Sequence, residues 1–232
     1  MRYRLITWTP VITGDGRFHE GDLIEAVESA WVFYHLKKDR SIEKAVRRYL
    51  MGGKVDLEHL ADEVRQIVKD KYPLDLHVEV LEDDTHTEEV YVEPFVLSHD
   101  VDDEGFRAKV FSGSLLLDIR GSVGYPKLRA AGLSYTEGIV KAEMKIFGEE
   151  SELLRSIYLD LLNGIKNEWD VPLRVGIFNR NRLGGNLLFF WRIKEVRDYL
   201  LRKLGFDIRP SEALYIVKYN TVPGFVELRR EG

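Results

Sequence analysis

Gly138-Ile139-Val140-Lys141-Ala142-Glu143-Met144-Lys145-Ile146 opens the stretch, residues 138–219, whose reading decides the fold. Val140, Ala142, Met144 and Ile146 alternate with Lys141, Glu143 and Lys145, the period of a half-buried strand. Leu153, Leu154, Ile157, Tyr158, Leu161, Leu162 and Ile165 then form one apolar stripe, the mark of an amphipathic helix. After Trp169 and Pro172, a second alternation (Leu173, Val175, Ile177) predicts a strand. A polar connection, 179–186, carries Arg180, Arg182 and the Gly184-Gly185 pair, and 187–193 is apolar on nearly both faces, as a central strand is. Val196, Tyr199, Leu200 and Leu204 mark a further helix, and 213–219 a last strand.

The predicted order is βαββαβ, the ferredoxin-like arrangement: an antiparallel sheet with two helices on one face and the other face free for a partner. Gly121, Gly124, Pro126 and Gly132 punctuate the chain just before it. They divide the chain into an N-terminal α+β half, 1–124, and a ferredoxin-like half, 133–232. The fold class expected is therefore α+β.

In the N-terminal half, 2–12 reads as a strand closed by Thr13-Gly14-Asp15-Gly16, where two glycines around an aspartate signal a sharp turn. Asp22 and Glu25 have capping-box spacing ahead of a helix carrying Leu23, Val27, Ala30, Trp31 and Tyr34. Two more helices follow, one ending at Gly52-Gly53 and one before Pro73, and together the three form a helical insertion. Strands are expected at 74–81 and 90–97 around the acidic turn Glu82-Asp83-Asp84. A hairpin is expected across Ser112-Gly113, and an edge strand at 225–228.

The 232 residues carry a net charge of −5, unevenly placed. Residues 79–104 hold 11 Asp or Glu and no Lys or Arg, so the remainder is net +6, and 174–218 has ten basic against four acidic residues. Such a basic region suits phosphates whatever the total charge, and it equally suits the solvated sides of strands and helices. The absence of cysteine excludes disulfides, thiolate metal sites and cysteine nucleophiles. No apolar run reaches the roughly 18 residues of a membrane span, and the first residues run straight into a strand without a signal peptide. The expectation is a cytoplasmic protein with no membrane partner.

No phosphate-binding loop, dinucleotide fingerprint, nucleophile elbow or His-Glu-x-x-His pattern occurs. No cofactor is expected. His99-Asp100-x-Asp102-Asp103 has the composition of a hard-cation site without the spacing of one, and no metal is expected there. His19 stands beside Arg17 just ahead of a helix start, where negative charge is stabilised. A metal-independent ribonuclease needs a general base at the 2′-hydroxyl, a general acid at the leaving oxygen and a cation at the phosphorane, roles that His19 and a lysine would fill. A surface-loop histidine satisfies the same sequence. For RNA binding, Arg180, Arg182, Arg192 and Lys218 supply phosphate contacts, and Tyr215 and Tyr219 alternate along a strand as base-stacking groups would.

Thr9-Pro10-Val11-Ile12-Thr13-Gly14-Asp15-Gly16 resembles the "TPVHIGSG" end of the first strand in RAMP proteins of CRISPR systems. Gly21-Asp22-Leu23-Ile24-Glu25-Ala26-Val27-Glu28 resembles their helix entry "GSSLKGALR", with Ile24 and Glu28 where that family has Lys and Arg. Pro223-Gly224-Phe225-Val226-Glu227-Leu228 is similar to the "plGwvel" ending of the RAMP subunit that caps the spacer end of type III effector complexes. The resemblance covers about a fifth of the chain. It implies ferredoxin-like units and a non-catalytic subunit that grips CRISPR RNA and docks on other effector subunits.

The leading expectation is an RNA-binding structural subunit of a CRISPR ribonucleoprotein, contacting RNA through Arg17, His19, Arg180, Arg182, Arg192 and Lys218, with no catalytic residue. Two alternatives stand beside it: a metal-independent endoribonuclease that processes CRISPR precursor RNA with His19 as base, and a protein-binding scaffold that uses the acidic segment 79–104.

Overall fold

In the computed structural model, residues 1–52, 59–95, 105–148, 151–176, 198, 202, 214–216 and 221–232 are described. The chain forms β1 (Arg2–Thr7), β2 (Val11–Ile12), α1 (Glu20–Lys38), α2 (Arg40–Met51), α3 (Leu60–Lys69), β3 (Leu76–Phe95), β4 (Phe106–Gly121), α4 (Tyr125–Phe147), α5 (Glu152–Asn167), β5 (Val171–Arg174), β6 (Leu214–Ile216) and β7 (Phe225–Arg230). The fold class is α+β, as expected. One sheet runs in the order β5-β7-β1-β4-β3-β6, with β2 added to β4, and its pairs are antiparallel.

Alternation sets the two faces of this sheet. Tyr3, Leu5, Val78, Leu115, Leu117, Ile119, Leu173, Val226 and Leu228 point to one face and pack with α1 to α4 in the main core. Each such side chain contributes about 1.5–3 kcal/mol when fully buried. A second core (Val140, Phe147, Leu154, Tyr158, Leu162, Ile165, Trp169, Phe225) joins α4 and α5 to the other face near β7. The neighbouring strands β1 and β7, both inside the sheet, come from opposite ends of the chain.

Several expectations are corrected. The stretch 140–146, expected as a strand, is the end of helix α4. The reason is that α4 is buried on two sides. Leu128, Ala131, Tyr135, Ile139 and Ala142 enter the main core, while Val140 and Phe147 enter the second. Two helical stripes side by side place apolar residues at alternate positions over a short window. The first strand of the expected βαββαβ order is therefore a helix. The glycine- and proline-rich segment 121–132 is not a linker but the end of β4, a tight turn and the start of α4, with Gly124 at the N-cap and proline in the first turn. Gly132 lets α4 lie against β5: a Cβ there would sit 2.8 Å from the Pro172 carbonyl oxygen.

Glu82-Asp83-Asp84 is not a turn either. β3 runs unbroken through it for 20 residues, with a bulge between Val80 and Glu82. β4 likewise passes straight through Ser112-Gly113. Gly113 takes φ +127°, and its N–H donates to Thr7 Oγ1, whose hydroxyl donates back to the Gly113 carbonyl. The glycine is there for close approach: a Cβ would lie 2.5 Å from the Asp84 carbonyl oxygen. α1 begins at Glu20, so Asp22 sits inside its first turn rather than at the cap. β7, expected at an edge, lies between β5 and β1 because both of its sides pair. The strand expected at 187–193 lies outside the described residues, as does the helix around 196–204 apart from Asp198 and Arg202.

Candidate nucleic-acid interface

The loop 13–19 joins β2 to α1, and local hydrogen bonds hold its shape. Thr13 Oγ1 donates to the Arg17 carbonyl at 3.0 Å, and the Arg17 N–H donates to Asp15 Oδ1 at 3.0 Å. The same Asp15 oxygen lies 2.8 Å from His19 Nε2. That contact, then the Arg17 N–H, hold the Asp15 carboxyl below the usual carboxylate range. Gly16 takes φ +77°, a left-handed conformation that favours glycine.

The loop is pinned to the β3–β4 hairpin. Thr87 Oγ1 donates to the Gly16 carbonyl at 2.7 Å, and Phe18 meets Phe111 edge to face at 6.1 Å. A Cβ on Gly16 would fall 2.6 Å from Thr87 Cγ2 and 2.7 Å from Lys109 Cβ, so no other side chain allows this seat. Anchored on both sides, the loop turns Arg17 and His19 out to solvent. His19 is the N-cap residue of α1, but its side chain makes no capping hydrogen bond. Glu20 and Asp22 in the first turn already complement the helix dipole, so the helix end adds little attraction for an anion.

Lys109 lies beside Gly16, and Arg107 follows two residues along the same face of β4. Opposite Arg107 on β3 is Tyr91, 55% exposed, whose ring lies over Gly105. Tyr91, Arg107, Lys109, Arg17 and His19 thus form a strip of cations and aromatic rings along the hairpin and loop. Glu89 interrupts it, with an oxygen 3.0 Å from Arg107 Nη1. The sequence reading missed Tyr91, Arg107 and Lys109. The signal was the alternation of Arg107 and Lys109 along one strand, but only the cross-strand register places Tyr91 opposite and only the seat of Gly16 brings Arg17 alongside.

Arg180, Arg182, Arg192 and Lys218 lie outside the described residues, as do Tyr219, the Gly184-Gly185 connection and the cluster at His99 to Asp103. Tyr215 lies in β6, opposite Pro94 of β3. The sheet face opposite the main core, part of which α5 covers near β7, is not a plain cationic plate. Arg4 pairs with Glu231, Arg120 with Asp118 and Glu79, and Arg229 with Glu227. Among the described residues, no three His, Asp or Glu side chains are grouped to hold a metal ion. No described helix is long and apolar enough to cross a membrane.

Over 95% of its length the chain superposes on 73% of a chain in a cryo-EM structure of a Csm–crRNA–target RNA ternary complex of a type III-A CRISPR-Cas system, with a TM-score of 0.53. The chain shares the fold of a CRISPR-complex protein. At 14% identity the likeness is one of fold alone. In sequence, the chain is 28% identical over 249 residues to an uncharacterized protein of Aquifex aeolicus (strain VF5), covering 98% of this chain and 99% of that one. No protein-family model matches.

Proposed function

We propose that the protein is an RNA-binding structural subunit of a CRISPR ribonucleoprotein, which holds crRNA without cutting it and docks on neighbouring effector subunits. The observation that supports this most is the seating of loop 13–19 on the hairpin, which lines Arg17 and His19 up with Lys109, Arg107 and Tyr91. Guanidinium and ammonium groups spaced along β4 and the loop beside it suit successive phosphates, and the exposed tyrosine opposite Arg107 at the end of the row suits an unpaired base. Arg180, Arg182, Arg192 and Lys218 belong to the same proposed contact set. The shared fold with a protein of an RNA-bound complex supports the class of partner.

Filter binding of single-stranded RNA at several salt concentrations tests the reading. Retention should fall steeply with salt, and Arg17→Ala and Lys109→Ala should each lower the log–log slope by about 0.7. Retention that does not respond to salt or to either substitution rules the interface out.

One observation favours the ribonuclease alternative: the Asp15 carboxylate orients the His19 ring. Repeat RNA incubated with the protein in EDTA decides it. The structural reading expects intact RNA, whereas cutting that His19→Ala abolishes would establish the enzyme.

A further inference from the structure

Trp8 leaves the end of β1, where its backbone N–H donates to the Phe225 carbonyl at 3.0 Å. Its indole lies flat on Trp169, with centroids 5.3 Å apart and planes 15° from parallel. The indole N–H donates to Glu227 Oε2 at 3.1 Å. Glu227 is fully buried and also accepts from the Asp170 N–H at 2.9 Å. Stack and hydrogen bond together fix both side-chain torsions of Trp8, yet the residue is 44% exposed, whereas Trp31 and Trp169 are 4% and 5% exposed. Trp169 covers part of one ring face in an offset stack, and the remaining surface leaves Trp8 open to solvent. The only polar group of the ring is already spent. What Trp8 offers outward is a rigid π surface that cannot choose between hydrogen-bonding partners.

Cations stand next to it. Arg229 binds Glu227 through Nε at 3.2 Å and Nη2 at 3.0 Å, the second on the same oxygen that takes the indole N–H. A guanidinium has five N–H donors, so three of Arg229 remain, on a side chain 52% exposed. Arg4 is directly opposite Arg229 in the β1–β7 register, and its Nε binds Glu231 at 2.8 Å. Like charges facing across a strand pair weaken it unless anions join them; Glu231 and Glu227 each hold one of the two, and the remaining guanidinium donors face outward.

We infer that Trp8, Arg229 and Arg4 form a nucleotide subsite for single-stranded RNA. The unpaired base stacks on the outer face of Trp8, and its phosphate is held by the outward donors of Arg229 beside Arg4. The site lies on the sheet face opposite the loop strip and takes any base. It rests on the RNA-binding reading above.

The test uses the whole protein and a 20-nucleotide oligouridine carrying 5-bromouridine, which cross-links under ultraviolet light to an aromatic ring it stacks on. Mass spectrometry should locate an adduct on Trp8 in the unaltered protein. Trp8→Ala should weaken binding about tenfold with little change in salt slope, and Arg229→Gln should lower the slope by about 0.7. Cross-links confined to other residues, with Trp8→Ala binding like the parent, overturn the subsite and leave the RNA reading intact. No binding by the parent at any salt overturns both. Should Trp8→Ala fail to fold, the adduct on the unaltered protein decides alone, its absence counting against the site.

Discussion

Two arginine–glutamate pairs in this molecule have the same chemistry and opposite roles. Arg174 and Glu143 meet inside the second core, 6% and 0% exposed, with the Tyr158 hydroxyl donating to Glu143 at 3.2 Å and the Phe225 ring 5.1 Å under the guanidinium. Arg107 and Glu89 meet on the hairpin, 80% and 52% exposed. Water screens the second pair and is excluded from the first. Inside, neither ion tolerates losing its partner, because a charge cannot be left in a medium that does not solvate it. Outside, the pair holds little energy and its members remain available to a ligand. Burial, and then the Glu143 carboxylate, push the Tyr158 hydroxyl above its ordinary range, so it remains a donor to that knot.

The comparison breaks most sharply at Arg174. Arg174→Ala should cost about 3–5 kcal/mol in urea unfolding, and Arg174→Met with Glu143→Leu should recover much of it, since the pair is then removed together. A single substitution without a large loss would mean that water reaches the pair.

Next in size is Gly16→Ala. The left-handed backbone and the crowding by Thr87 and Lys109 should cost about 1–3 kcal/mol, and RNA affinity should fall with it as Arg17 moves off the strip. Lost stability with unchanged RNA binding would separate the loop from the interface.

His35 extends the comparison to a buried group whose charged form is disfavoured. Its ring stacks on Tyr72 at 3.8 Å, and its Nε2 is buried with no hydrogen-bond partner among the described residues. Desolvation lowers its pKa, Lys127 adds to this, and Asp39 opposes it. The folded state therefore resists protonation that the unfolded chain accepts. This contribution to stability is complete above the ordinary pKa of 6.5 and is lost as pH falls below it towards the folded value. His35→Phe should flatten the change in urea midpoint between pH 7.5 and 5.5. An unchanged slope would show that other groups carry it.

The smallest effect on stability belongs to the exposed pair. Glu89→Gln should change stability by no more than about 0.5 kcal/mol while tightening RNA binding several-fold, because it releases Arg107 and removes a negative charge from the strip. Weaker RNA binding in this variant would argue that Glu89 orients Arg107 rather than competing for it.

Helices α2, α3 and α5 were legible because each buries mainly what its period announces, α2 and α5 with local start signals; α1, buried on nearly every side, was legible from its long apolar run and the charged residues that close it. Asp39 takes the Ser41 N–H at the start of α2, and Ser151 takes the Leu154 N–H at the start of α5. α4 was not legible, since a helix wedged between two cores loses its polar side and its period with it. The continuity of β3 and β4 was hidden for a related reason. Acidic and glycine residues that normally mark turns sit here in a bulge and at a close crossing. At the site, Arg17 and His19 were found from their loop and helix start, whereas Tyr91, Arg107, Lys109 and Trp8 were not, because nothing local distinguishes them from ordinary strand residues.

The amino-acid order alone determined the mixed class, the three-helix insertion after the first strand, and the tight loop that exposes Arg17. These follow from hydrophobic period and backbone preference, which act within a few residues. Tertiary structure decided that α4 is a helix, that the last strand lies inside the sheet rather than at its edge, and which arginines face carboxylates and which face water. Those outcomes depend on partners up to 227 residues away in the chain, whose burial and charge no local window contains.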